Sequence, residues 1–231
     1  MRFAICGLGM VLAGTALGQN PTVAFPKNYR MLIDNPSVAV LRAHYGPHET
    51  VGVHDHSDYS TVYVYLNDSG PVRFSHAEAH PFSIVRPPTH AGALRVSPGR
   101  LERHSVENLS ELPSDYLRVE LKHLPVKALP AEARIPAPVP PLVAGTAEIY
   151  SKPGLRIERT ICVAGKPCTL DERPAGSVVI AISGDPVQSE NHGPKLTFES
   201  PAMWLAGGRP MSFSFPSSSV QLIRLEIPKP R

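Results

Sequence analysis

The chain has 231 residues, 42% of them hydrophobic, and a net charge of +3. That length admits one large domain or two small ones of about 100–150 residues, and the apolar content excludes a disordered chain. Lysines and arginines are scattered, without the basic runs and interleaved aromatics of a nucleic-acid surface, and the 26 prolines exclude long helices in favour of short strands joined by loops.

Residues 1–18 read as a secretory signal. Arg2 gives a positive start, Phe3 to Leu17 are apolar apart from Gly and Thr, and Ala16-Leu17-Gly18 places small residues at the cleavage positions. The mature chain is then expected to begin near Gln19 and to be secreted or periplasmic. The apolar run is shorter than the roughly 20 residues of a spanning helix, and no later run is long enough to cross a bilayer.

The strands follow in order. Val38 to Ala43 is a strand-like run entering a Gly-Pro turn. Ser60 to Leu66 is rich in β-branched and aromatic residues and stops at Asn67-Asp68-Ser69-Gly70, a strong turn signal. Val72-Arg73-Phe74 and Phe82 to Arg86 are short strands. Tyr116 to Leu121 alternates apolar and charged residues at period two, the pattern of a half-buried strand. The Pro-rich segment 125–142 holds Pro125, Pro130, Pro136, Pro138, Pro140 and Pro141 and reads as an extended linker. Beyond it, 143–231 resembles a worn copy of 28–124: Ser177 to Asp185 parallels Ser60 to Asp68, and Gln221 to Ile227 parallels Tyr116 to Lys122. No stretch keeps a helical period over three turns, so the class is all-β.

Cys6 leaves with the signal, and Cys162 and Cys168 remain. In an oxidising compartment they fit a disulfide across a hairpin turn; two separate thiols are the alternative, because spacing alone does not fix geometry. A zinc site in this half is disfavoured, His192 being its only histidine.

Nine of the ten histidines precede residue 124. His54 and His56 stand at i and i+2 on a strand and so point to one face. With His104 arriving from a distant strand, they would make a three-nitrogen face with open positions for water or substrate. Asp55 should face away, and Asn108 reads as a turn and hydrogen-bonding residue. His44, His48 and His123 read as surface residues. Tyr63 and Tyr65 share a strand face and either pack in the core or line the barrel.

Gly52-Val53-His54-Asp55-His56, with the β-branched strand that ends at Gly70, resembles the first cupin motif. Pro98-Gly99-Arg100-Leu101-Glu102-Arg103-His104-Ser105-Val106-Glu107-Asn108 resembles the second. The resemblance covers Val38 to Lys122 and reaches the second half only through its strands. It implies tandem cupin-type β-barrels of jelly-roll form, the second unit degenerate. It also implies a divalent metal ion (iron, manganese, zinc, nickel or copper) on His54, His56 and His104. Ser60 and Thr61 stand where the family's usual Glu ligand lies, which leaves a three-His set like that of the thiol dioxygenases. Glu49, His76, His80 or His90 could substitute for the missing carboxylate. In the second half Asp171 and Arg173 take the places of His54 and His56, and Pro210 and Met211, within Trp204 to Phe215, stand where a further ligand would be, so that unit has no triad.

Two functions follow from the resemblance and the residues. One is an exported metal-dependent oxidoreductase, dioxygenase-like, on a small organic molecule. The other is a non-catalytic ligand-binding or structural bicupin without metal. No residue is assigned a catalytic role, and pairing of edge strands in a homodimer is compatible with the barrels.

Overall fold

The structure, a computed structural model, describes residues 19–124, 129, 131–166, 168–182, 187–189, 195–207, 210–214 and 218–227. The expected signal over 1–18, Cys6, Pro125, Pro130, Gly184, Asp185, His192 and Phe215 lie outside them.

A four-residue helix, α1 (Pro21–Ala24), opens the described chain, capped by the Asn20 side chain accepting from Thr22 N–H at 3.0 Å. Ten strands follow: β1 (Tyr29–Asp34), β2 (Val38–Tyr45), β3 (Thr50–His56), β4 (Thr61–Tyr65), β5 (Val72–His76), β6 (Phe82–Arg86), β7 (Leu94–Ser97), β8 (Glu102–Asn108), β9 (Ser114–Leu121) and β10 (Ala133–Ile135). They form two antiparallel sheets, in the orders β1-β2-β9-β4-β7-β10 and β3-β8-β5-β6. From β2 to β9 the chain passes repeatedly from one sheet to the other, which is the jelly-roll winding. β10 lies inside the Pro-rich segment and pairs with β7 along one edge, the mode that proline permits.

The second half repeats this order. β11 (Gly145–Lys152), β12 (Leu155–Cys162), β13 (Cys168–Leu170), β14 (Gly176–Ile182), β15 (Val187–Ser189), β16 (Lys195–Leu196), β17 (Ala202–Leu205), β18 (Met211–Ser214) and β19 (Val220–Ile227) make sheets β11-β12-β19-β14-β17 and β13-β18-β15-β16. β14 stands where β4 stands and β19 where β9 stands, as the sequence parallels imply. Cys162 and Cys168 form a disulfide, Cα–Cα 5.6 Å, across the turn between β12 and β13.

The barrels pack through their large sheets. Period-two alternation sends Val38, Val40, Val62, Val64, Leu117 and Val119 to one face, where they join Ile157, Val178, Ile180, Ile223 and Leu225 of the second half in a single core. Each such fully buried side chain contributes about 1.5–3 kcal/mol. Arg42 adds a polar tie: it pairs with Asp115 at 2.7 Å and Glu199 at 2.7 Å, and lies over the Phe198 ring.

This packing corrects the reading of Tyr116 to Leu121 as half-buried. Every residue of β9 is buried. Its apolar face meets the other barrel, and its charged face, with Arg118 at 3% and Glu120 at 6% exposure, points into its own. The two interiors also differ. The first is built from Tyr29, Tyr45, Tyr63 and Tyr116 with Val51, Val72 and Val106, whereas the second is largely aliphatic, from Leu170, Val179, Leu196 and Leu222 around Phe213.

Candidate metal centre

His54 and His56 lie on β3, and His104 lies directly across from His54 on β8. An irregularity in register between Val51 and His54 re-aims the end of β3, and the i, i+2 spacing turns both its imidazoles inward. The three rings meet, with centroids 4.9 Å (His54–His56), 4.9 Å (His54–His104) and 5.1 Å (His56–His104) apart. One nitrogen of each lies within 4.8 Å of the others, and all three residues are buried.

Burial holds the rings neutral. It lowers His54 and lowers His56 further, with Arg118 adding to both, and it brings His104 down to about 3 against the opposing pull of Glu102. A neutral imidazole is the form that binds a metal ion.

The tautomer of His54 is fixed. Its Nδ1 donates to the Gly52 carbonyl at 2.8 Å, which leaves Nε2 as an acceptor for the Tyr29 hydroxyl at 2.8 Å. Each phenol has one proton, so Tyr29 then accepts from Tyr45 (2.6 Å), which accepts from Tyr116 (2.8 Å). Among the described residues neither ring nitrogen of His104 has a hydrogen-bond partner, although both are buried. A buried donor or acceptor without a partner costs about 1–3 kcal/mol, and a metal ion on one nitrogen would remove part of that cost. The donor set therefore fits a divalent ion, which would take the His54 Nε2 lone pair in place of the Tyr29 hydroxyl.

Behind the rings, Arg118 donates to Glu102 at 2.6 Å, Glu120 at 2.8 Å and the Tyr63 hydroxyl at 2.7 Å. Burial opposes the charge on Glu102, but Arg118 wins and holds its carboxyl far below the usual range. Tyr63 thus packs in the first barrel's core and also lines the small space beside the rings.

The remaining expected residues fall as follows. His76 is buried across from His104, ring centroids 5.3 Å apart, but its Nδ1 meets Glu78 at 3.1 Å, its Nε2 meets Arg100 at 3.3 Å, and it stacks on Phe82. It walls the site. Glu49 binds the Gly46 N–H and Lys27 away from the rings, and His80 and His90 are exposed. No carboxylate joins the three-histidine group among the described residues. Ser60 and Thr61 are buried. Asn108 is structural, donating to Gly46 and Leu112 carbonyls. Asp55 lies 3.9 Å from Arg103. His48 is exposed, but His44 is half-buried against Asp115, and His123, expected at the surface, is half-buried and reaches the Gly154 carbonyl at 2.9 Å. In the second barrel Asp171 is exposed, Arg173 pairs with Glu158 at 2.7 Å, and Leu170 and Phe213 fill the interior.

Sequence reasoning missed Tyr29, Glu102 and Arg118. Glu102 carried a signal, since it sits two residues before His104 on the same strand face. Tyr29 comes from a strand far along the chain and carried none.

No protein-family model and no curated protein sequence matches the chain. Solved structures do. The bacterial pirin YhhW from Escherichia coli, in complex with nickel(II), superposes at TM-score 0.60 with 14% identity, over 87% of this chain and 92% of that one. YhaK from Escherichia coli gives 0.58 and 13%, over 92% and 99%. A salicylate 1,2-dioxygenase from Pseudaminobacter salicylatoxidans gives 0.50 and 16%, over 86% and 76%. These likenesses establish a shared two-barrel fold.

Proposed function

We propose that this protein, a tandem double barrel of cupin fold, binds a divalent metal ion through His54, His56 and His104 and uses it on a small organic molecule. The observation that carries the reading is the trio of buried neutral imidazoles, one of them with no other partner for its nitrogens among the described residues. Three imidazoles suit zinc, copper, iron or nickel, and the nickel(II) in the YhhW complex is an ion of this class. The chemistry such an ion supplies is polarisation of an oxygen-bearing substrate or, with iron, oxidation of one. The chain's own groups orient and shelter the site. Gly52 fixes the His54 tautomer, Phe25 and Phe74 pack edge-on to His54 and His104, and the Glu102–Arg118 pair braces the floor.

Metal analysis of protein purified from its native compartment tests this. About one atom per chain is expected, and His54→Ala and His104→Ala should each lower occupancy at least tenfold, since one lost ligand of three leaves a poor site. Full occupancy in both variants would remove the site.

A second reading, metal binding without turnover of an organic substrate, is favoured by one observation. The space lined by His56, His104, Tyr63 and Arg118 is about 20 Å³, room for roughly one water molecule. Oxygen uptake by iron-loaded protein with a panel of phenols and thiols separates the two readings. Export is part of the proposal: the disulfide supports an oxidising compartment, and intact-mass measurement should place the mature N-terminus near Gln19.

A further inference from the structure

A sizeable cavity is lined by residues other than the three histidines. It is about 790 Å³, between the β7 edge of the first barrel, the loop after β6, and β10 with the proline-rich segment that follows. That volume falls in the range of small-molecule sites, about 300–1,000 Å³.

Its walls are unusual in charge. Arg86, Arg95 and Arg134 all line it, and all three turn to one carboxylate, Glu132: Arg95 at 3.1 Å, Arg134 at 3.2 Å and Arg86 at 3.5 Å. Three guanidinium groups against the Glu132 and Asp68 carboxylates leave one positive charge in excess. Asp68, the one acidic residue on the wall, is exposed and already holds the Ala91 N–H. Burial and the neighbouring Arg95 both weigh against the charge on Arg86.

Polar capacity is also unmet. Arg95, whose guanidinium lies over the Tyr63 ring, is 8% exposed and its Nε has no hydrogen-bond partner among the described residues; Gln221 is 9% exposed and its Oε1 has none among them. Both residues line the cavity. Much of the rest of the wall is apolar and stiffened by proline, with Pro87, Pro88, Pro136, Pro138 and Pro140 beside Ile135, Val139 and Leu142, suited to a hydrocarbon body. Excess guanidinium at one side and apolar, proline-rich wall elsewhere match an amphipathic anion, because arginine forks pair with a carboxylate in two-point geometry.

We propose that this cavity is a binding site for a planar organic carboxylate, an aromatic acid of one or two rings. The inference goes beyond the metal reading and does not need it: none of the three imidazoles lines this cavity, although Arg86 and Arg95 also border the small space beside His56 and His104.

The test titrates metal-free protein with 2-naphthoate and, separately, with neutral 2-naphthalenemethanol, followed by calorimetry. Saturable 1:1 binding of the acid is expected, at least about tenfold tighter than the alcohol, the loss expected when a charged hydrogen bond goes unmade. Arg134→Gln, at a residue whose side chain is 59% exposed and so safe for folding, should weaken the acid about tenfold and leave the alcohol unchanged. Glu132→Gln should tighten the acid, because it removes the carboxylate that competes for the same guanidinium groups. His104→Ala should leave acid binding unaltered, which keeps this result separate from the fate of the metal site. No saturable binding of the acid, equal affinity for acid and alcohol, or an Arg134→Gln variant that binds the acid as well as the parent would each overturn the proposal.

Discussion

His104 is a ring held neutral by its surroundings, and this has a pH signature. Its folded value of about 3 lies below the unfolded value of about 6.5. Between those values the unfolded chain holds the extra proton, so stability falls as pH falls through that window. Above pH 6.5 both states are neutral and the effect vanishes. His54 and His56 shift in the same direction. Glu102, held low by Arg118 against its burial, adds its loss only below the ordinary carboxylate range. Metal-free protein should therefore lose about 2 kcal/mol between pH 7.5 and 5.0 for each ring that stays neutral, read by guanidinium denaturation, and His104→Gln should shrink that loss. A stability that is flat over this range would mean that the rings protonate freely in the folded state. At this scale the triad was legible, because i, i+2 spacing on a strand dictates a shared face. The tyrosine chain behind His54 was not, since Tyr29, Tyr45 and Tyr116 meet only through sheet pairing at long range.

Among the elements, the approach to β8 shows why a Pro-Gly pair stands there. A Cβ on Gly99 would lie 2.1 Å from the Asp58 carbonyl oxygen and 2.9 Å from the Ser60 N, in the turn that links β3 to β4. Gly99→Ala should push that turn outward at a cost of about 1–3 kcal/mol, the usual penalty of overpacking. It should also loosen His56 on the adjoining strand, visible as a lower melting temperature and weaker metal retention. The Cys162–Cys168 link closes a short loop and should be worth about 2 kcal/mol by loop entropy. Loss of stability in the double Ser variant and the absence of free thiols in unreduced, unfolded protein both check it. The strands β4, β6 and β9 could be read from the chain because β-branched runs end at turn residues. β7 and β10 escaped, each too short for a period to show, and β10 is hidden among prolines. The burial of β9 also escaped: alternation reports two different faces, but not that both are covered.

For the whole molecule, the decisive feature is one core shared by two barrels. Val62 and Leu117 on one side meet Val178 and Ile223 on the other without an intervening solvent layer, so neither large sheet can open alone without exposing both. Calorimetry should give one unfolding transition with matching calorimetric and van't Hoff enthalpies, and residues 19–124 expressed alone should be insoluble or molten; two separate transitions would contradict the shared core. The tandem order was readable from repeated strands, whereas the docking of the units was not, because an apolar strand face does not say which neighbour covers it. The contrast between the interiors has a further consequence. The first barrel encloses imidazoles, phenols and an arginine that each carry a desolvation cost, while the second encloses mostly hydrocarbon around Phe213. The half with the more apolar interior, where Arg224 is tied to Ser177 and the Asp171 carbonyl, is thus the ballast that lets the other half tolerate its polar cargo.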